Sequence, residues 1–190
     1  MRGLIVVDVQ YDFLPGGALG VPEGDAVAGP IAAVRDRFDL VVFTQDWHPA
    51  DHCSFKEHGG PWPAHCVQET AGARIDARIL RPGDIVVRKG IHRDVDSYSG
   101  FWDNERRHRT ELAGILARKG VRSLHVCGLA TDYCVKATAL DAREAGYDVA
   151  LIADACRGVE VRPGDVARAL EEMRARGVRI VTSDAVGRAP

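Results

Sequence analysis

Short apolar, β-branched runs alternate with helical stretches along the whole chain, and no other feature restricts its fold so strongly. "GLIVVDV" (3–9), "LVVFTQD" (40–46), "DIVVRKG" (84–90), "SLHVCGL" (123–129), "DVALIAD" (148–154) and "VRIVTSD" (178–184) read as strands. Helical patterns cover "GDAVAGPIAAVRDRF" (24–38), where Pro30 is expected to introduce a kink, "DYCVKATALDAREAG" (132–146) and "RPGDVARALEEMRARG" (162–177). Gly146 and Gly177 stand where a helix C-terminus wants glycine. "NERRHRTELAGILARKG" (104–120) reads as an amphipathic helix with a charged start and solvated arginines. Strands that are apolar almost throughout leave no face for water, so helices must cover both sides of a parallel sheet. The expected class is therefore α/β, a three-layer α/β/α sandwich around a six-stranded, mostly parallel sheet.

At 190 residues with no repeat, low-complexity tract or linker, the chain reads as one domain over 1–190. A formal charge of −2 gives no reason to expect nucleic acid or an anionic membrane. No apolar run approaches the ~20 residues of a membrane span. The start, "MRGLIVVDVQ", lacks a signal-peptide pattern, so a cytoplasmic location is expected. Five cysteines at irregular spacing argue for reduced thiols over a disulfide framework, with Cys53, Cys66, Cys127 and Cys156 read as packing. The tail "GRAP" is expected to fray.

Open parallel sheets bind ligands outside the carboxyl ends of their strands. The polar residues at those ends are Asp8, Asp46, Lys89, Asp154 and Asp184, with Cys134 just beyond the fourth strand. Asp154 and Asp184 read as caps or turn residues, and Asp12 stays ambiguous. "GLATDYC" turns strand into helix, with Thr131 or Asp132 available as a cap. That puts Cys134 in a first helical turn, where backbone amides favour a thiolate and can receive an oxyanion. Asp8 closes an apolar run and needs a cation nearby, which Lys89 can supply. The pair is either a stitch between strands or, with Cys134, a nucleophile–base–cation group.

Two segments interrupt the alternation: "QYDFLPGGALGVPE" (10–23) and a long connection over 46–83. A long irregular connection in a small domain is a place to look for function. It opens on "DWH", whose Asp46 and His48 face one side of an extended backbone and can reach one ion. His52, His58 and His65 are the candidates for a third ligand. One carboxylate and two imidazoles suit zinc, iron or manganese. Phe13 and Trp62 could stack on a flat ring or anchor their loops.

"VDVQYDF" (7–13), "TQDWHPADHCSF" with "GPWPAHCVQ" (44–68), "RKG" with "DSYSGFWDN" (88–104) and "GLATDYCV" (128–135) together resemble the nicotinamidase branch of the isochorismatase-like cysteine hydrolases over nearly the whole chain. The resemblance implies a Rossmann-like strand order and an amidohydrolase that turns nicotinamide into nicotinate and ammonia through a cysteine thioester. It implies Asp8, Lys89 and Cys134 as the catalytic triad, and the Ala130 and Cys134 amides, beside a cis Leu129–Ala130 peptide, as the oxyanion hole. Asp46, His48 and His65 would hold one divalent metal, zinc first and iron or manganese as alternatives, with His52 a ligand in some members only. Phe13, Trp62 and Tyr98 would line the substrate pocket, and the ion would position the pyridine nitrogen. A related amidohydrolase acting on another small amide or ureido compound is the alternative. Association into a homo-oligomer is left open.

Overall fold

The computed structural model describes residues 1–187, so Arg188, Ala189 and Pro190, most of the tail expected to fray, lie outside the described residues. Six strands form one sheet: β1 (Arg2–Val7), β2 (Leu40–Asp46), β3 (Ile85–Lys89), β4 (Ser123–Leu129), β5 (Asp148–Arg157) and β6 (Arg179–Val181). Their order is β3-β2-β1-β4-β5-β6, and every pairing is parallel. β1 and β4 are the central pair, and Leu4 to Val7 and Leu124 to Leu129 are buried without a break in apolar character other than His125 and Gly128. Each fully buried Val, Leu or Ile contributes roughly 1.5–3 kcal/mol to burial, which is why these strands cannot sit at an edge.

The helices are α1 (Ala28–Val34), α2 (Leu112–Arg118), α3 (Lys136–Glu144) and α4 (Asp165–Ala175). The crossover β1–α1–β2 runs toward one edge of the sheet, whereas β3–α2–β4, β4–α3–β5 and β5–α4–β6 run the other way. Right-handed crossovers then put α1 on one face and α2, α3 and α4 on the other, giving three layers. Gly146, at φ +90°, ends α3 by donating to Arg143 O while Tyr147 N donates to Ala142 O, and the same pair of bonds ends α4 at Gly177.

The expected elements are present with altered limits. The 24–38 stretch is three consecutive pieces, a 3-10 turn at 24–27, α1, and a second 3-10 turn at 35–37. Pro30 falls in the first turn of α1, where a missing N–H costs least. Only 112–118 of the charged 104–120 run is helical. Upstream, buried Asp103 accepts the amides of Glu105, Arg107 and His108, holding the backbone in a loop that a helix would need to straighten. The arginines there are exposed as expected, and Arg106 pairs with Asp141 and Glu144. β5 runs three residues further than its apolar pattern, and β6 is confined to 179–181.

Candidate active site

Three chain segments far apart in sequence meet at the carboxyl edge of the sheet. Asp8 follows β1, Lys89 ends β3, and Cys134 follows β4. The loops after β1 and β4 part at this point because their crossovers leave in opposite directions, and that parting opens a crevice. Lys89 Nζ lies 2.9 Å from Asp8 Oδ2, 2.6 Å from Asp46 Oδ1 and 3.5 Å from Cys134 Sγ. It also donates to Ser97 O at 2.8 Å. A carboxylate oxygen of Asp8, one of Asp46 and the Cys134 sulfur all lie within 4.8 Å of one another. Asp8 Oδ1 accepts from Thr44 Oγ at 2.6 Å, whereas Oδ2, although beside the ammonium, accepts no aligned hydrogen bond.

Burial and the lysine pull these groups in different directions. Burial pushes the Asp8 carboxyl up to about 6, against the lowering effect of Lys89. Burial would lower Lys89, but the two carboxylates and the thiol around it hold its ammonium well above the usual range. Burial raises the Cys134 thiol well above its ordinary value, and Lys89 only partly offsets that. Burial of the sulfur, with Asp8 and Asp46 nearby, thus works against the thiolate that the helical turn favours. Nor do Thr131 and Asp132 cap that turn. Residues 131–135 form a π-helical turn, and Asp132 accepts the amides of Val159 and Glu160 at 2.9 and 2.8 Å, tying down another loop. Tyr133 N and Val135 N both donate to Ala130 O, and the Leu129–Ala130 peptide is cis.

Next to this group, Asp46, His48 and His65 each offer an atom within 4.8 Å of the others. His48 Nδ1 faces Gly90 O at 2.9 Å and His65 Nδ1 faces Pro63 O at 2.8 Å. A carbonyl only accepts, so both rings carry their proton on Nδ1 and turn a bare Nε2 toward the shared point. Asp46 Oδ1 is held by Lys89, leaving Oδ2, 3.5 Å from His48 Nε2. This donor set fits a divalent ion. Gln10 clamps the Asp46 backbone from both sides, donating to Asp46 O at 2.9 Å and accepting its amide at 2.8 Å. Gly90, at φ +62°, leaves room for the His48 ring, which a Cβ would overlap.

His58 is exposed on the surface, away from this point. His52 is buried and stacks on His48 at 4.1 Å between ring centroids, but its nitrogens already face Ser54 Oγ and Val95 O. A cavity of about 40 Å³ lies over these groups, and Phe13, Trp62, Tyr98, Ala130, Cys134 and His65 are in its wall. Trp62 Nε1 donates to Tyr98 Oη at 3.3 Å, and both rings meet Tyr133 edge-on. Sequence reasoning missed Tyr133, Thr44, Gln10 and Asp96. All four stand inside the quoted motifs, which was the available signal; Thr44 also sits two residues before Asp46, so the side-chain alternation of β2 puts both on one face. Cys66, Cys127 and Cys156 are buried free thiols and Cys53 is half-buried, consistent with packing. Asp12 accepts the Cys66 amide at 2.7 Å, bracing the Phe13 loop against His65.

A chain with this crevice belongs to the isochorismatase family: the isochorismatase domain model matches residues 2–185. Within that family it is similar to the nicotinamidase of Escherichia coli, with 43% identity over 95% of this chain and 94% of the relative. Among solved structures it is similar to the pyrazinamidase of Pyrococcus horikoshii in complex with zinc (TM-score 0.86, 47% identity, 95% of this chain and 98% of that one). It is also similar to the L. infantum protein PnC1 in complex with nicotinate (TM-score 0.92, 43% identity, 97% and 94%).

Proposed function

We propose that this single-domain protein is a nicotinamidase, hydrolysing nicotinamide to nicotinate and ammonia. The observation that carries the reading is the convergence of Asp8, Lys89 and Cys134 beside a three-donor cation site in one small aromatic cavity. Both halves are needed for a flat amide with a ring nitrogen. Relatives named as nicotinamidases at 43 and 40% identity, each over 95% of this chain, support it over an amidohydrolase for ureido compounds.

Asp46, His48 and His65 would hold a divalent ion, zinc by analogy with the P. horikoshii structure. Such an ion supplies a Lewis-acid seat for the pyridine nitrogen, orienting the ring. Phe13 and Trp62 flank the ring, and Tyr98, tied to Trp62, closes the pocket. The Cys134 thiol gives its proton to Asp8, a carboxylate oxygen of which lies within 4.8 Å of the sulfur, and the sulfur attacks the carboxamide carbon. The Ala130 and Cys134 amides receive the oxyanion. Asp8 returns the proton to departing ammonia, then takes one from the water that opens the thioester, and Lys89 holds Asp8 in place throughout.

The test is ammonia release from nicotinamide by the wild type and Cys134→Ala, with metal content measured on the same preparations. We expect a loss of at least about a thousandfold in the variant, in line with removal of a covalent nucleophile, and a raised KM after the metal is stripped. Near wild-type release by Cys134→Ala would refute the covalent scheme.

A further inference from the structure

Formal charges around the crevice do not balance with the three donors alone. Buried Lys89 sits between Asp8 and Asp46, so these groups together carry one surplus negative charge. A divalent ion at Asp46, His48 and His65 turns that into one surplus positive charge, among side chains that are almost wholly buried. An uncompensated buried charge is unfavourable, so a further anion should face the ion. His52 cannot serve, since an imidazole carries no negative charge and its nitrogens already face Ser54 Oγ and Val95 O.

Asp96 meets the requirement. It is half-buried, lines the same cavity as Asp46, His65 and Cys134, and puts a carboxylate oxygen within 4.8 Å of ring nitrogens of His48 and His52. One of its oxygens accepts the Ser97 amide at 2.8 Å, and among the described residues its carboxylate forms no ion pair with a lysine or arginine. We propose that Asp96 is the outer carboxylate of the cation site, a positioning residue that balances the ion's charge and sets how tightly the ion is held without ligating it. The proposal rests on the metal reading given above. It has a converse: without the ion the crevice carries two surplus negative charges, and neutralising Asp96 should relieve the metal-free protein.

Zinc affinity measured by competition with a chromophoric chelator at pH 7.5 tests this on the full chain. Asp96→Asn is expected to bind zinc about 10–100-fold more weakly than wild type, the usual effect of losing an outer-shell partner, and Asp96→Glu within about threefold of it. Asp94→Asn, at an exposed acid two residues away, should bind as wild type does. Metal-free Asp96→Asn should melt no lower than metal-free wild type, and if it does not fold, Asp96→Ser carries the same expectations. The proposal is overturned by an Asp96→Asn affinity within about twofold of wild type, or by an equal loss in Asp94→Asn. It is also overturned if two zinc ions bind the wild type and one binds Asp96→Asn, which would make Asp96 a ligand of a second ion. A wild type that binds no zinc would overturn the metal reading itself, a result distinct from all of these.

Discussion

Asp8, Asp46 and Lys89 stand at the ends of β1, β2 and β3 on one half of the sheet, whereas on the other half Asp154 lies within β5 and Asp184 in the turn after β6. In the sequence the two sets look alike, an ionisable residue closing an apolar run. In the fold they differ completely. The first set is buried and interlocked through Lys89. The second set bonds to neutral groups of the turn after β6: Asp154 accepts the Ser183 amide and hydroxyl, and Asp184 accepts the Thr182 hydroxyl. The cause is topology. β1 and β4 are neighbours whose crossovers diverge, so polar ends there face a crevice, while β5 and β6 are joined by a single crossover and no such parting occurs between them.

Lys89→Met would break the comparison most severely. It leaves Asp8 and Asp46 facing each other without a counter-charge, and removal of one partner from a buried pair costs about 3–5 kcal/mol. Urea unfolding at pH 7.5 should show that loss, and ammonia release should vanish; unchanged stability would mean the buried cluster is not held by its charges. A subtler effect is the acid limb of the pH profile. Asp8 has a folded pKa of about 6, above its ordinary value of 3.8. A carboxyl raised in this way favours the folded state while protonated, so its contribution is present below pH 3.8 and lost as pH rises through about 6. In the proposed scheme activity moves oppositely, since Asp8 accepts the thiol proton only when ionised: kcat/KM should fall as pH drops through about 6. A flat profile from pH 5 to 7 would remove Asp8 from that role. The smallest effect belongs to Asp154→Asn, which weakens a turn by about 0.5–1.5 kcal/mol in thermal or urea unfolding and leaves nicotinamide turnover within about twofold of wild type.

Strand positions were legible because a parallel sheet demands near-continuous apolar runs, and so were the helix stops at Gly146 and Gly177. The break-up of 24–38 and the loop at 104–111 were not, since both depend on side chains such as Asp103 bonding distant amides. At the site, residue types named the groups that meet, but not which histidine would join Asp46 and His48. That choice turns on Pro63 O orienting His65, while Ser54 and Val95 engage His52. Nor does the local sequence show how deeply Cys134 is buried, which pushes its thiol up against the lowering effect of Lys89.

Asp46 divides its two oxygens, one on Lys89 and one toward the imidazoles. The neighbourhood of the proposed nucleophile and the proposed ring-orienting seat therefore share a single side chain. Whatever occupies the seat draws electron density from that carboxylate, alters its grip on the lysine, and so changes how much of the lysine is left for Asp8. Exchanging one ion for another should thus be felt at the sulfur as well as at the ring.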